Sequence, residues 1–333
     1  MSEYAIVRTH GLKTRLLSKE DILNLSQAKN ISNFIDLLKG TEYSDLLYAG
    51  MPINEIIRAI HDVFWSRMHR ILRISPDDFS RFLRGYLAKI DINAILYFIR
   101  EKILKVKKPT HRPPFYGIPS IILQQIERLA SAEDILLYLR QNLCFEKVDK
   151  KKFRRILNTK KFSLIELLIW NIYYTNLMAH IQRLPEDTAT FIRRIIGIEL
   201  DVLNIMTVLS EHSPEKYGEL IREKLILPHY RIHRSILMRV SQTKDQRVIL
   251  ELLSPYKEIV KILLERGQIL AYVATDRQIL GILQRKCVEI AHDLAYLFYY
   301  VKLAEFECKN LAFCAYAIYH NFSPEEIQQY LVI

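Results

Sequence analysis

Glu305-Phe306-Glu307-Cys308-Lys309-Asn310 repeats the order of Glu199-Leu200-Asp201-Val202-Leu203-Asn204: acid, any residue, acid, two residues, asparagine. Asp91-Ile92-Asn93 reads as a shortened first copy. The three asparagines are about a hundred residues apart, which predicts triplicated domains, since solenoid repeats run at roughly 20–50 residues. The surroundings agree. Each signature leads into an apolar stretch, Ala94 to Leu104, Ile205 to Leu209 and Leu311 to Tyr319. Each copy closes soon after, at Pro113-Pro114, at Pro228 or at Ile333. Each opens on an aromatic residue, Tyr4, Tyr116 or Tyr230. A small polar step follows, at Leu25-Ser26-Gln27-Ala28, Leu129-Ala130-Ser131-Ala132 and Val240-Ser241-Gln242-Thr243. The expected domains are 1–113, 114–227 and 228–333.

The secondary structure expected in all three is helical. Only 9 Gly and 11 Pro interrupt 333 residues, of which half are hydrophobic. So few breakers argue for long helices and against a turn-rich β fold. Helix starts are legible at Ser75-Pro76-Asp77-Asp78, Ser131-Ala132-Glu133-Asp134, Leu184-Pro185-Glu186-Asp187 and Ser323-Pro324-Glu325-Glu326. In most of them a small polar residue precedes proline or acids. Apolar spacing also predicts helix across Asn30 to Leu47. No segment alternates strictly, so the fold class is all-α. Prolines 109, 113 and 114 deny the chain backbone donors and mark the clearest boundary.

The formal charge is +11. Nucleic acid, anionic lipid and acidic protein surfaces are therefore all possible partners. The cations concentrate at Lys102 to Arg112 and at Lys147 to Lys161, where solvated helix ends and loops account for such runs. No window offers about 20 clean apolar residues, so no membrane-spanning helix is expected. The opening Met1-Ser2-Glu3-Tyr4-Ala5-Ile6-Val7-Arg8 lacks the layout of a secretory signal. Cys144, Cys287, Cys308 and Cys314 are widely spaced, without a C-x-x-C pair, and read as small hydrophobes in a reducing compartment.

The search for chemistry returns little. Phosphate-binding glycine loops, serine elbows and H-E-x-x-H are absent. His229 and His233 are four apart, but no companion carboxylate follows and Arg231 and Arg234 crowd them. Neither catalytic, cofactor-binding nor metal-ligating residues are predicted. The candidate residues are those of the signatures: Asp91, Asn93, Glu199, Asp201, Asn204, Glu305, Glu307 and Asn310. Acids two apart on a helix point about 200° away from each other and cannot readily converge on one bond. Asp201 and Asn204, like Glu307 and Asn310, share a face. They can bond each other or nearby backbone as a structural contact, or form an acidic lining for a partner.

Tyr300-Val301-Lys302-Leu303-Ala304-Glu305-Phe306-Glu307-Cys308-Lys309-Asn310-Leu311 resembles the C-terminal signature of the C-subunit family of archaeal/vacuolar-type (A/V-type) rotary ATPases, whose eukaryotic counterpart is the vacuolar d-subunit. The ending Ser323-Pro324-Glu325-Glu326-Ile327, the opening Tyr4 to Arg8 with Leu16-Leu17-Ser18, and Leu37-Leu38-Lys39-Gly40-Thr41-Glu42-Tyr43 are similar to that family too. The resemblance covers the whole length. It implies a funnel of three helical domains with pseudo-threefold arrangement, peripheral at the cytoplasmic face of a membrane. Such a protein links the central shaft to the proteolipid ring and transmits torque for proton or sodium transport, without cofactor, small-molecule substrate or bond-making of its own. The alternative is a basic, all-helical nucleic-acid-binding protein, whose binding would weaken steeply with salt. An enzyme with an unrecognised helical site is a third reading.

Overall fold

The computed structural model describes residues 2–104, 150–159, 161–211 and 227–333, with positions 125, 126, 128, 129, 131, 133–135, 137, 138, 218 and 220. The fold is all-α, and no strand occurs among the described residues. In chain order the helices are α1 (Ser2–Lys13), α2 (Lys19–Ser26), α3 (Ile31–Leu37), α4 (Ile53–Ile74), α5 (Asp77–Leu104), α6 (Lys150–Asn158), α7 (Phe162–Ile181) and α8 (Glu186–Glu211). They continue as α9 (Arg234–Ser241), α10 (Gln246–Leu252), a 3-10 turn (Ser254–Tyr256), α11 (Lys257–Arg266), α12 (Gln268–Lys286), α13 (Ala295–Tyr319) and α14 (Pro324–Gln329). None of the described helices is long and apolar enough to cross a membrane.

The chain compacts into two units. The first comprises Met1–Ser80, Pro185–Glu199 and Leu253–Ile333; the second comprises Arg81–Leu184 and Leu200–Leu252. In the first unit α13 is the axis. Most of its residues are apolar, and a helix of that composition is buried over most of its surface. Tyr296 to Val301, Ala304, Phe306, Leu311, Cys314 and Ala315 are all buried. α4 lies along it with a stripe at helical spacing, Ile56, Ile60, Val63, Phe64, Arg67 and Ile71, and α1, α2, α3, α12 and α14 fill the remaining sides. Each large apolar side chain taken from water there contributes about 1.5–3 kcal/mol. Truncating the fully buried Phe298 to alanine would cost about 3–5 kcal/mol through the cavity it leaves.

In the second unit, α7 buries Leu164, Ile165, Leu168, Ile169, Ile172 and Leu177. The Tyr173 hydroxyl donates to the Tyr86 carbonyl at 2.9 Å. Gly85 permits this close packing: a β-carbon there would come within 3.3 Å of the His180 ring.

The helix starts fall where expected. α14 begins with Pro324 in its first turn and a complete capping box: Glu326 N–H donates to Ser323 Oγ at 3.2 Å, and Ser323 N–H to Glu326 Oε2 at 2.8 Å. Ser131 and Asp134 exchange the same pair of bonds. α5 and α8 begin just after Pro76 and Pro185 and bury Phe79, Phe82, Leu83, Phe191, Ile192 and Ile195. Ser18 and Asp21 form a further box that sequence reasoning did not single out.

The helix expected across Asn30 to Leu47 is cut short. α3 ends at Leu37, and Gly40 follows with φ +81°, a left-handed conformation that suits glycine and ends helices. The periodicity misled because Leu37 and Leu46 are exposed, whereas Tyr43 is buried. The Pro-rich boundary at 107–114, Tyr116 and Cys144 lie outside the described residues. Cys308 and Cys314 are buried as expected, and burial pushes each thiol up to about 12.

Candidate functional site

The second signature lies on α8. Asp201 is fully buried, and its carboxylate accepts three consecutive backbone N–H groups: Tyr230 at 2.8 Å, Arg231 at 2.6 Å and Ile232 at 3.1 Å. One turn on, Asn204 accepts from Leu227 N–H at 3.1 Å and donates to the Leu227 carbonyl at 3.3 Å. Its amide thus acts as a short piece of sheet edge, satisfying donor and acceptor of a single residue. Both side chains grip one stretch, residues 227–232, which leads into α9. Sharing a face was the reason to pair them, and the backbone is what they bind.

The third signature, on α13, repeats the amide clamp. Asn310 accepts from Val332 N–H at 2.8 Å and donates to the Val332 carbonyl at 2.9 Å. Glu307 stands where Asp201 stands in the second copy, and it too holds the backbone just before a short capped helix. Leu17 N–H donates to Glu307 Oε2 at 2.6 Å, immediately ahead of α2. α2 and α9 also end alike, with Ser26 and Ser241 each bonding the carbonyl three residues back at 2.7 Å.

Here the likeness stops. Glu307 Oε1 also accepts from Arg67 Nη1 at 2.6 Å and from the Tyr43 hydroxyl at 2.7 Å. Arg67 is almost wholly buried, and its Nε reaches Glu42 at 2.8 Å; Arg70 and Arg15 join Glu42 from the exposed side at 2.9 and 3.4 Å. Burial works against the Arg67 charge, but Glu307 and its neighbours outweigh it and hold the guanidinium above its ordinary value. Burial and the Glu307 carboxylate both raise the Tyr43 phenol well above its ordinary value. For Glu42, burial opposes the charge, yet Arg67 and Arg70 prevail and depress its carboxyl.

The first acids of the two signatures meet. Lys302, with no exposed surface, donates to Glu199 Oε1 at 2.8 Å and to Glu305 Oε2 at 3.2 Å. Lys309 bridges Glu305 at 3.3 Å and Asp276 at 2.8 Å. Burial works against the Lys302 charge; Glu199 and Glu305 outweigh it and raise its ammonium above the ordinary value. Members of one acid pair therefore face different partners, as their angular separation requires.

Asp91 of the shortened first copy is buried in α5, whereas the side chain of Asn93 lies outside the described residues. Of the other signature residues, Asp201, Asn204, Glu305, Glu307 and Asn310 are buried and Glu199 is half-buried. His233 caps α9, its Nδ1 accepting from Ser235 N–H at 3.4 Å, with the His229 ring against it.

Sequence reasoning missed Arg67, Glu42, Tyr43 and Lys302. A signal existed for two of them. Arg67 interrupts an otherwise apolar helix stripe, and Lys302 stands alone in the run Tyr296 to Ala304. A cation in such a position needs a buried counter-charge.

An all-helical chain whose second and third signatures are engaged by its own backbone and cations is an internally braced helical scaffold. It belongs to the ATP synthase (C/AC39) subunit family, whose model matches residues 5–330. The chain is 24% identical to the C-subunit of the A-type ATP synthase of Thermococcus onnurineus over 230 residues, which cover 68% of this chain and about 60% of that protein. It is 22% identical to that of Pyrococcus furiosus over 337 residues, covering 98% and 89%. With the Methanocaldococcus jannaschii protein it shares 20% over 361 aligned positions, covering 99% and 86%.

Proposed function

We propose that this chain is the central-stalk adaptor of an A-type rotary ATP synthase or ATPase. It performs no bond-making itself; it joins the rotating shaft to the membrane proteolipid ring and passes torque between them, coupled to proton or sodium movement. It works as a peripheral component at the cytoplasmic face, built from three helical repeats, 1–113, 114–227 and 228–333, arranged as a funnel. The observation that carries this reading is family membership across nearly the whole chain. The repeat assignment is supported by the matching asparagine clamps at Leu227 and Val332. A torque coupler must resist deformation, and close-packed helices braced by buried ion pairs do so. The residues of the second and third signatures act in this reading as internal braces, because their oxygens and amides are engaged within the chain.

The test is capture of tagged chain from detergent-solubilised membranes of its source organism. ATPase head, shaft and proteolipid components are expected to accompany it. Their absence, with nucleic acid retained in a salt-sensitive manner instead, would overturn the assignment.

A further inference from the structure

The stretch gripped by Asp201 and Asn204 presents two arginines, Arg231 and Arg234, beside two histidines and a tyrosine. His229, Tyr230, Arg231, His233 and Arg234 are all exposed. The two imidazoles lie edge to face with centroids 4.9 Å apart, and the Arg231 guanidinium is 5.6 Å from the centre of the Tyr230 ring. Among the described residues neither Arg231 nor Arg234 makes an ion pair.

The backbone beneath these side chains is fixed. Tyr230, Arg231 and Ile232 give their N–H groups to Asp201, and His233 caps the following helix. At the matching stretch of the third signature, Arg15 precedes Leu17 and is taken up by Glu42. The contrast points outward: one loop pairs its arginine with a carboxylate of the chain at the surface, and the other presents two with no carboxylate among the described residues.

We propose that residues 229–234 form a preorganised docking site for a carboxylate-bearing surface of another protein of the complex. The proposal rests on the function proposed above. Its chemistry follows from the side chains. A guanidinium offers a planar fork that matches a carboxylate with two parallel bonds. Holding the loop rigid before contact removes much of the ordering cost of association.

The footprint favours protein over the other anionic partners. Duplex binding draws its strength from the number of phosphates neutralised, and residues 229–234 supply only two arginines. Stable attachment to anionic lipid takes clusters of about 4–8 Lys or Arg, or inserted apolar residues, and Tyr230 is the lone aromatic here.

The experiment compares the full-length chain with R231Q/R234Q in capture from solubilised membranes at low and high salt. The substitutions leave the backbone bonds to Asp201 in place, so the thermal midpoint should not move. Wild-type chain should retain the other ATPase proteins in a salt-sensitive manner. The double variant should retain about tenfold less at low salt and lose most of that salt sensitivity. Equal retention and equal salt response by the variant would overturn the docking site while leaving the adaptor function standing. Failure of the wild-type chain to retain any ATPase protein would overturn both. Selective loss by the variant of binding to phosphatidylglycerol vesicles or RNA, with retention of the ATPase proteins intact, would assign the cluster to those ligands and sink the proposal.

Discussion

Asp201 and Glu307 hold equivalent backbone positions by different means. Asp201 sits under three N–H groups of one continuous stretch, with Asn204 clamping the start of the same stretch. Glu307 and Asn310 reach segments far apart in sequence, Leu17 and Val332, and Glu307 additionally carries a buried arginine and a tyrosine. The difference follows from supply. Three consecutive amides can satisfy a carboxylate by themselves, whereas one amide cannot, and the remaining oxygen is met by Arg67 and Tyr43. The second acid of the signature is thus held by one continuous stretch in the second unit and by partners far apart in sequence in the first.

This contrast can be broken most severely at Arg67. Arg67→Met leaves Glu307 buried without its cation and should lower stability by about 3–5 kcal/mol in urea unfolding. The double variant R67M/E307Q should recover part of the loss. A loss below that of Asp201→Ala would reverse the ranking of the two sites. Asp201→Ala comes next, at about 3 kcal/mol, because it strands three backbone donors, that of Ile232 buried and those of Tyr230 and Arg231 part-buried. Hydrogen exchange should quicken at Tyr230 to Ile232 and stay unchanged at Leu17. The amides are the weaker clamps: Asn204→Ala and Asn310→Ala should each cost about 1–2 kcal/mol and loosen Leu227 or Val332 respectively. Equal exchange at both positions in both variants would show that the clamps are not independent.

The smallest effect is acid sensitivity. Glu42 titrates below its ordinary value in the folded chain, so its contribution is complete above the ordinary glutamate range and disappears as pH falls through the depressed value. Glu42→Gln should therefore flatten the acid limb of the stability profile relative to wild type. An unchanged limb would mean that the Arg67 cluster does not govern acid unfolding.

The signatures were legible because an acid and an asparagine three apart must share a helix face, and a pattern repeated at domain spacing asks for a shared task. Their partners were not. Leu17, Tyr43 and Arg67 lie more than two hundred residues from Glu307, and periodicity tells which face is used, never what meets it. Helix starts at proline and capping residues read correctly because they are local chemistry. The helix expected across Asn30 to Leu47 failed for the opposite reason: Leu37 and Leu46 are apolar at helical spacing, yet α3 stops at Leu37 and the chain turns through Gly40 between them.

Lys302 gives the first unit a resistance to creep. Its ammonium sits on α13 between Glu305 of the same helix and Glu199 of α8, entirely out of water. Sliding α8 along α13 by one helical turn, about 5.4 Å, would pull Glu199 from contact and leave the buried ammonium with Glu305 alone. The residue acts as a key in a keyway: slip between the two helices has to break a bond made out of water.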